Sequence, residues 1–357
     1  MIRAAARRVE QRWLHPPAPP GRPFGGLRIA AIVDPFTEAC FAPEVTLLPL
    51  HARWWRLQLP AFAPQLLLVE SAWRGARDSW HRRIASYSGR HDDTLADVVR
   101  WSRRHRVPTV FWNKEDPVHF ARFIAAARHF DLVFTTCEER VPAYIEAGIG
   151  AGRVASMMFA AQPALHLPGP LPRADVVSFA GSYGEAEHGT RRAELEALLD
   201  GARGFDLQIH DRRASEPGGT QFPSRFHAAV RPAVPYQALI RHQASVKVAL
   251  NVNSVRDSRT MFSRRVFELL ACETSVVSGP SVGVAALFGD VVDVVERRDE
   301  AAAAIHRLLA DEPARRARAA RGRARVLAAH TYAHRVAQLC HAVGIASAPS
   351  SMGQPAP

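Results

Sequence analysis

The chain has 357 residues, 47% of them apolar and 22% charged, with a formal net charge of +12 at pH 7. That length exceeds what one core usually organises, so two domains are expected, and the apolar content excludes a chain too polar to fold. Only Lys114 and Lys247 are lysines; the densest basic run, Arg315, Arg316, Arg318, Arg321, Arg323 and Arg325, has no interleaved aromatics for base stacking, which argues against nucleic acid as a partner. A solvated helix face accounts for the run, and as a true patch it would suit peripheral contact with an anionic membrane or polymer.

Cys40, Cys137, Cys272 and Cys340 are far apart and lack metal-ligand spacing, so they read as reduced, mostly buried thiols. The first 15 residues are charged throughout, and no window approaches the ~18 apolar residues of a membrane span, so a cytoplasmic location is expected.

In chain order, residues 1–15 suit a short arginine-rich helix and 16–26 a stiff proline-rich linker, with the ordered fold beginning at Leu27. Short apolar runs at 27–33, 65–70, 108–112, 131–136 and 153–159 suit buried parallel strands, with helices at 93–105 and 138–148. A proline-rich break at 162–173 follows. Strands are then expected at 176–180, 206–210, 246–251, 274–278 and 291–295, with helices at 189–201, 235–244, 264–272, 299–310 and 314–342. This alternation predicts an α/β protein of two Rossmann-like, doubly wound domains, 27–172 and 173–342, after an extension (1–26) and before a disordered tail (343–357).

Open parallel sheets bind ligands beyond the carboxyl ends of their strands. In the second domain, Gly181 directly follows a strand and would admit a ligand to the backbone, Ser182 offers a hydroxyl, and Arg191 and Arg192 stand near the next helix start. After the 246–251 strand come Asn251 and Asn253. Ser263 is placed to cap a helix opening with Arg264 and Arg265, a combination that suits a diphosphate. Glu268, on an apolar stretch, needs an arginine partner or donors such as ribose hydroxyls. Tyr236 is placed either to contact a nucleobase or to pack. In the first domain, Glu70, Trp73 and Arg74 end one strand and Asn113, Lys114, Glu115, Asp116 and His119 follow another. These suit either sugar hydroxyls and a general base, or local packing and ion pairs.

The run 251–278 (NVNSVRDSRTMFSRRVFELLACETSVVS), with VESAWRG, PTVFWNKEDPVHF, DLVFTT, SFAGSY and HTYAHRV, resembles the CgeB-type, spore-maturation-protein-like glycosyltransferases of the group 1 GT-B superfamily. The likeness covers roughly residues 27–342. It implies a GT-B fold, its two domains facing each other across a cleft. It further implies metal-independent transfer from a nucleotide-sugar, held mainly by the C-terminal domain, to an acceptor (cell-envelope polymer, metabolite or protein) held mainly by the N-terminal one, where Glu70, Trp73, Arg74 and Asn113 are the candidate acceptor-binding residues. Glu268 matches the acid that contacts the ribose, and Gly181 and Ser182 match the turn near the phosphates. Glu115 and Asp116 are the candidate catalytic residues, with His81 and His119 behind them. Two positions depart from the family: Thr260 stands where retaining enzymes often carry a glutamate, and Glu273 where a glycine is usual. A sugar-nucleotide epimerase of the same fold and a non-catalytic carbohydrate-binding protein are the alternatives.

Overall fold

The computed structural model describes residues 23–87, 92–184, 189–216 and 219–346. The expected N-terminal helix, residues 16–22 of the linker and residues 347–357 of the tail lie outside the described residues. The linker's last residues, Phe24–Gly26, open the first strand, so the fold begins ahead of Leu27. The chain forms two compact units: residues through Met158 with those from Tyr332 onward, and Phe159–Thr331.

The first unit holds a six-stranded sheet built from β1 (Phe24–Ile32), β2 (Val45–Pro49), β3 (Leu66–Glu70), β4 (Thr109–Asn113), β5 (Leu132–Thr135) and β6 (Val154–Ser156). Their order is β2-β1-β3-β4-β5-β6, and every pairing is parallel. Central strands covered on both faces must be apolar throughout, which is why LLLVE and TVFWN are buried at every position. Trp80, Phe111, Phe123, Phe130 and Tyr144 fill the core on one side.

The second unit repeats the plan with β7 (Ala174–Gly181), β8 (Asp206–Asp211), β9 (Val230–Arg231), β10 (Val246–Asn251), β11 (Ser275–Ser278) and β12 (Val292–Val294), ordered β12-β11-β10-β7-β8-β9, again all parallel. In each sheet the winding reverses once, between β1 and β3 and between β7 and β10. At such a switch point adjacent loops leave in opposite directions and open a crevice.

Several elements differ from expectation for identifiable reasons. Edge strand β2 escapes the sequence pattern because its run is short and ends in Pro49, a residue tolerated at a sheet edge. Pro35–Phe41 forms a helix that the strand-and-helix pattern above does not include, with a proline in its first turn. The long helix expected over 314–342 is two, Glu312–Ala329 and Tyr332–Val343, interrupted where Thr331 bridges to Ala161. The second of these packs in the first unit: Tyr332 meets Phe41 edge-on at 5.0 Å, and Arg335 Nε donates to Met158 O (2.8 Å). The proline-rich stretch 162–173 is anchored to the second unit, with Arg173 donating to Thr274 Oγ1 (3.0 Å) and Cys272 O (2.6 Å). Glu273 holds a left-handed φ of 57° after helix Arg265–Ala271, the conformation a glycine takes at least cost.

Helix Gly189–Ala202 meets helix Arg298–Ala310 so closely at Gly201 that a Cβ there would lie 2.6 Å from Arg298 O and 2.7 Å from Ala301 Cβ. Gly201→Ala should therefore destabilise the protein by roughly 1–3 kcal/mol, read as a lowered urea midpoint. An unchanged midpoint would refute the close approach.

Candidate functional site

In the second unit the crevice position lies beyond β7 and β10. Gly181 ends β7; a Cβ would press on the Phe179 ring at 3.1 Å, and its carbonyl accepts from Arg212 N (3.2 Å). Ser182 Oγ accepts from the exposed Arg212 guanidinium (3.4 Å). Arg191 turns onto the carbonyls of Ser182 (3.4 Å) and Tyr183 (3.1 Å). Arg192 bonds Gly184 O and lies 4.9 Å over the Tyr183 ring. These arginines thus brace the described part of the turn; its residues 185–188 lie outside the described residues. Burial, then the Arg212 charge, lowers the Arg191 pKa.

Beyond β10, both asparagines are buried and committed to holding the loop. Asn251 Nδ2 donates to Ser278 Oγ (2.9 Å) and Asn253 Oδ1 (3.2 Å), while Asn253 Nδ2 reaches Gly279 O (3.1 Å). Asn253 Oδ1 also accepts from Ser263 N (3.1 Å) and so ties the loop to the start of the next helix. Ser263 is not that helix's side-chain cap: the helix runs Arg265–Ala271, Arg264 occupies the cap position, and no side chain caps it. The first turn closes instead through Val266 N onto Ser263 O (3.1 Å).

Glu268 is buried on this short helix. Its Oε1 accepts from Arg264 and from the Tyr236 hydroxyl (2.9 Å). Burial alone would raise the carboxyl, but Arg264, His166 and Arg265 with the Tyr236 hydrogen bond hold it below the usual range. Oε2 has no hydrogen-bond partner among the described residues. Arg265 Nη1 is shut from solvent and likewise lacks a partner among the described residues. Burial pushes the Arg265 guanidinium down to about 10, with Arg264 and Arg212 adding repulsion. Arg264 and Arg265 therefore flank the Glu268 carboxylate, the Arg212 charge acts on Arg265, and Arg212 and Arg191 share the Ser182 end of β7.

The first unit's crevice position is filled from within. Glu70 is fully buried; its Oε1 accepts from Asp34 N (2.7 Å), and its Oε2 pairs with Lys114 Nζ at 2.5 Å. Lys114 also donates to Thr37 Oγ1 (2.6 Å) and lies 4.0 Å from the centre of the Phe36 ring. Burial raises the Glu70 pKa, and the lysine opposes that. Asn113 and Asp116 are equally enclosed. Asp116 Oδ1 accepts from Asn113 Nδ2 (2.8 Å), and Oδ2 accepts from Thr135 Oγ1 (2.6 Å) and Tyr144 OH (2.7 Å). Glu70, Asn113 and Asp116, expected as acceptor or catalytic groups, thus use their polar atoms to pin strand-end loops. Glu115 is half-buried, with His119 Nε2 3.7 Å from its Oε2. Trp73 packs edge-on against His119 and Phe123, each at 5.2 Å. Arg74 is exposed and pairs with Asp78 (3.4 Å); His81 is exposed as well.

Sequence reasoning assigned no role to Arg212 or His166. The signal for Arg212 is its place immediately after β8, with Asp211 in register opposite Gly181; the role of His166 is decided by folding alone. The arginine run is largely neutralised within its unit: Arg315 pairs with Glu312, Arg318 with Asp293 and Arg325 with Asp290, while Arg323 reaches Ala271 O. All four cysteines are free and buried. Among the described residues, no group of three or more His, Cys, Asp or Glu side chains could hold a metal, and no helix is long and apolar enough to cross a membrane.

Residues 191–341 match the family model described as glycosyl transferase-like. No curated protein matches the chain. Among solved structures, HepE of Anabaena in complex with UDP-glucose is similar with a TM-score of 0.56 at 12% identity, covering 88% of this chain and 91% of that one. Sucrose-phosphate synthase from Thermosynechococcus elongatus is similar at 0.50 and 15%, covering 81% and 76%. A Listeria monocytogenes protein named as a UDP-N-acetylglucosamine 2-epimerase is similar at 0.53 and 9%, covering 92% and 100%. At such identities the likeness is one of fold, and the fold is GT-B.

Burial pushes the Asp116 carboxyl up to about 6 from its ordinary 3.8. The folded state therefore takes up a proton that the unfolded chain does not bind between those values, so this group's contribution to stability grows as pH falls through 6 and is lost as pH rises. Wild type should gain stability relative to Asp116→Asn between about pH 7 and pH 4 in urea unfolding. A constant difference would refute the burial of an ionisable Asp116.

Proposed function

We propose that this chain is a glycosyltransferase whose nucleotide-sugar donor binds the second unit, with the diphosphate against Arg265, Arg212 and Arg191 and the ribose hydroxyls donating to Glu268. The observation that carries this reading is Arg265: a half-buried guanidinium whose Nη1 is shut from solvent and unpartnered among the described residues, beside the Glu268 carboxylate, whose Tyr236 and Arg264 hydrogen bonds both fall on Oε1. A guanidinium nitrogen shut from solvent without a hydrogen-bond acceptor is costly, and an anionic ligand supplies the acceptor. As the bond from sugar to diphosphate breaks, negative charge builds on the departing phosphate oxygen. Preplaced guanidiniums stabilise that charge more than they stabilise the ground state. The arginines furnish the counter-charge that a divalent metal furnishes elsewhere.

The match of residues 191–341 to the glycosyl transferase-like model supports the reading, because that segment carries Arg191, Arg212, Tyr236, Arg264, Arg265 and Glu268. HepE, of the same fold, binds UDP and UDP-glucose, which favours UDP as the nucleotide here. For the acceptor side, Glu115 is the better general base of the two carboxylates. It is partly open to solvent beside His119 and Trp73, whereas both oxygens of Asp116 are occupied. The acceptor belongs to the polyhydroxylated class that an aromatic side chain and a carboxylate suit: a glycan, a glycosylated metabolite or a protein hydroxyl.

Isothermal titration with UDP-, GDP- and TDP-sugars should show binding to at least one, and Arg265→Ala and Glu268→Ala should each weaken it about tenfold or more, as loss of a charged hydrogen bond predicts. Folded protein that binds none of them would sink the proposal. Incubating the bound donor without acceptor separates transfer from epimerisation: an epimerase converts the donor alone, a transferase leaves it or hydrolyses it slowly.

A further inference from the structure

We infer that His166 is a positioning residue for Glu268, acting through Tyr236, so that one segment of chain outside the sheet sets the geometry of the donor carboxylate. The inference rests on the proposed donor site.

His166 lies in the proline-rich stretch 162–173 and is fully buried. Its Nδ1 accepts from Gln162 N (2.9 Å), so in the neutral ring the proton resides on Nε2. Nε2 lies 3.0 Å from the Tyr236 hydroxyl oxygen, to which it donates, and that hydroxyl donates to Glu268 Oε1 (2.9 Å). The direct separation from His166 Nε2 to Glu268 Oε1 is 3.9 Å, too long for a hydrogen bond, so the histidine reaches the carboxylate only through the tyrosine. The polarity is unbroken: backbone N–H to imidazole, imidazole N–H to phenol, phenol O–H to carboxylate.

The surroundings leave His166 little freedom. Leu165 packs with Ile240, Ala244, Cys272 and Tyr236, and Arg323 bonds both His166 O (3.4 Å) and Ala271 O on the helix that carries Glu268. Tyr236 is thus held between an imidazole donor on one side and Glu268 on the other, with the Arg264 guanidinium 5.5 Å from the centre of its ring. Both protein donors land on Oε1, which leaves Oε2 for a ligand hydroxyl. If Tyr236 swings away, Glu268 is free to rotate, and Arg264 is then able to claim both oxygens.

Affinity for the tightest-binding of UDP, GDP and TDP, measured by titration, tests the relay. His166→Leu should weaken binding about tenfold, and His166→Gln, whose amide N–H can replace the Nε2 donor, should restore it to within about threefold. In a Tyr236→Phe background, His166→Leu should have less than about a twofold further effect, because the pathway is already cut. Equal losses for the Gln and Leu variants, or the same tenfold loss in the Phe background, would overturn the positioning role. Wild-type protein that binds none of the three nucleotides sinks the donor-site proposal instead. The relay is still decided by nitrogen-15 NMR of His166, which must show the Nε2–H tautomer with an Nε2 signal displaced by Tyr236→Phe. The opposite tautomer would overturn it.

Discussion

A carboxylate placed in an apolar helix must be matched by positive charge or hydrogen-bond donors, and Glu268 sets the terms for everything around it. Taking a charged carboxyl out of water costs several kcal/mol unless partners replace the lost solvation. Arg264 and Tyr236 supply those partners on one oxygen, and the Arg265 charge lies close by. The neighbouring loops then have to be stiff enough to hold this arrangement. Asn251, Asn253 and Ser278 meet that need by tying the end of β10 to the end of β11 and to Ser263 at the helix start.

The two sheets share a plan and differ in what occupies the point where their winding reverses. In the first unit a buried ion pair, Glu70 with Lys114, fills the place with protein atoms, and Asp34 N and Thr37 complete its hydrogen bonds. A second enclosed network, Asn113, Asp116, Thr135 and Tyr144, pins the next loop, so the polar groups of that loop that remain open lie further along it, at Glu115 and His119. In the second unit the corresponding place gathers guanidiniums in excess of carboxylates. That contrast in charge, rather than the fold itself, is what distinguishes the two places.

The net charge of +12 says less about partners than its size suggests. Much of the late arginine run answers nearby carboxylates or backbone carbonyls of the same unit: Arg315 with Glu312, Arg318 with Asp293, Arg325 with Asp290 and Arg323 with Ala271 O. The exposed pair Arg325 with Asp290 contributes little to stability, but together these pairs cancel the field that the sequence appears to present.

Sequence by itself determined the α/β class, the paired sets of parallel strands and the loops at their carboxyl ends, because buried parallel strands leave continuous apolar runs and connecting loops follow directly after them. It left edge strand β2, the break at His330–Thr331 and the return of the last helix to the first unit unread, since each depends on contacts between residues far apart in the chain. Only the tertiary structure decided which polar residues are available: it enclosed Glu70, Asn113 and Asp116, left Glu115 partly open, and brought His166 against Tyr236, 70 positions away in sequence. Burial and partnering are properties of position in space, and residue type along a chain does not carry them.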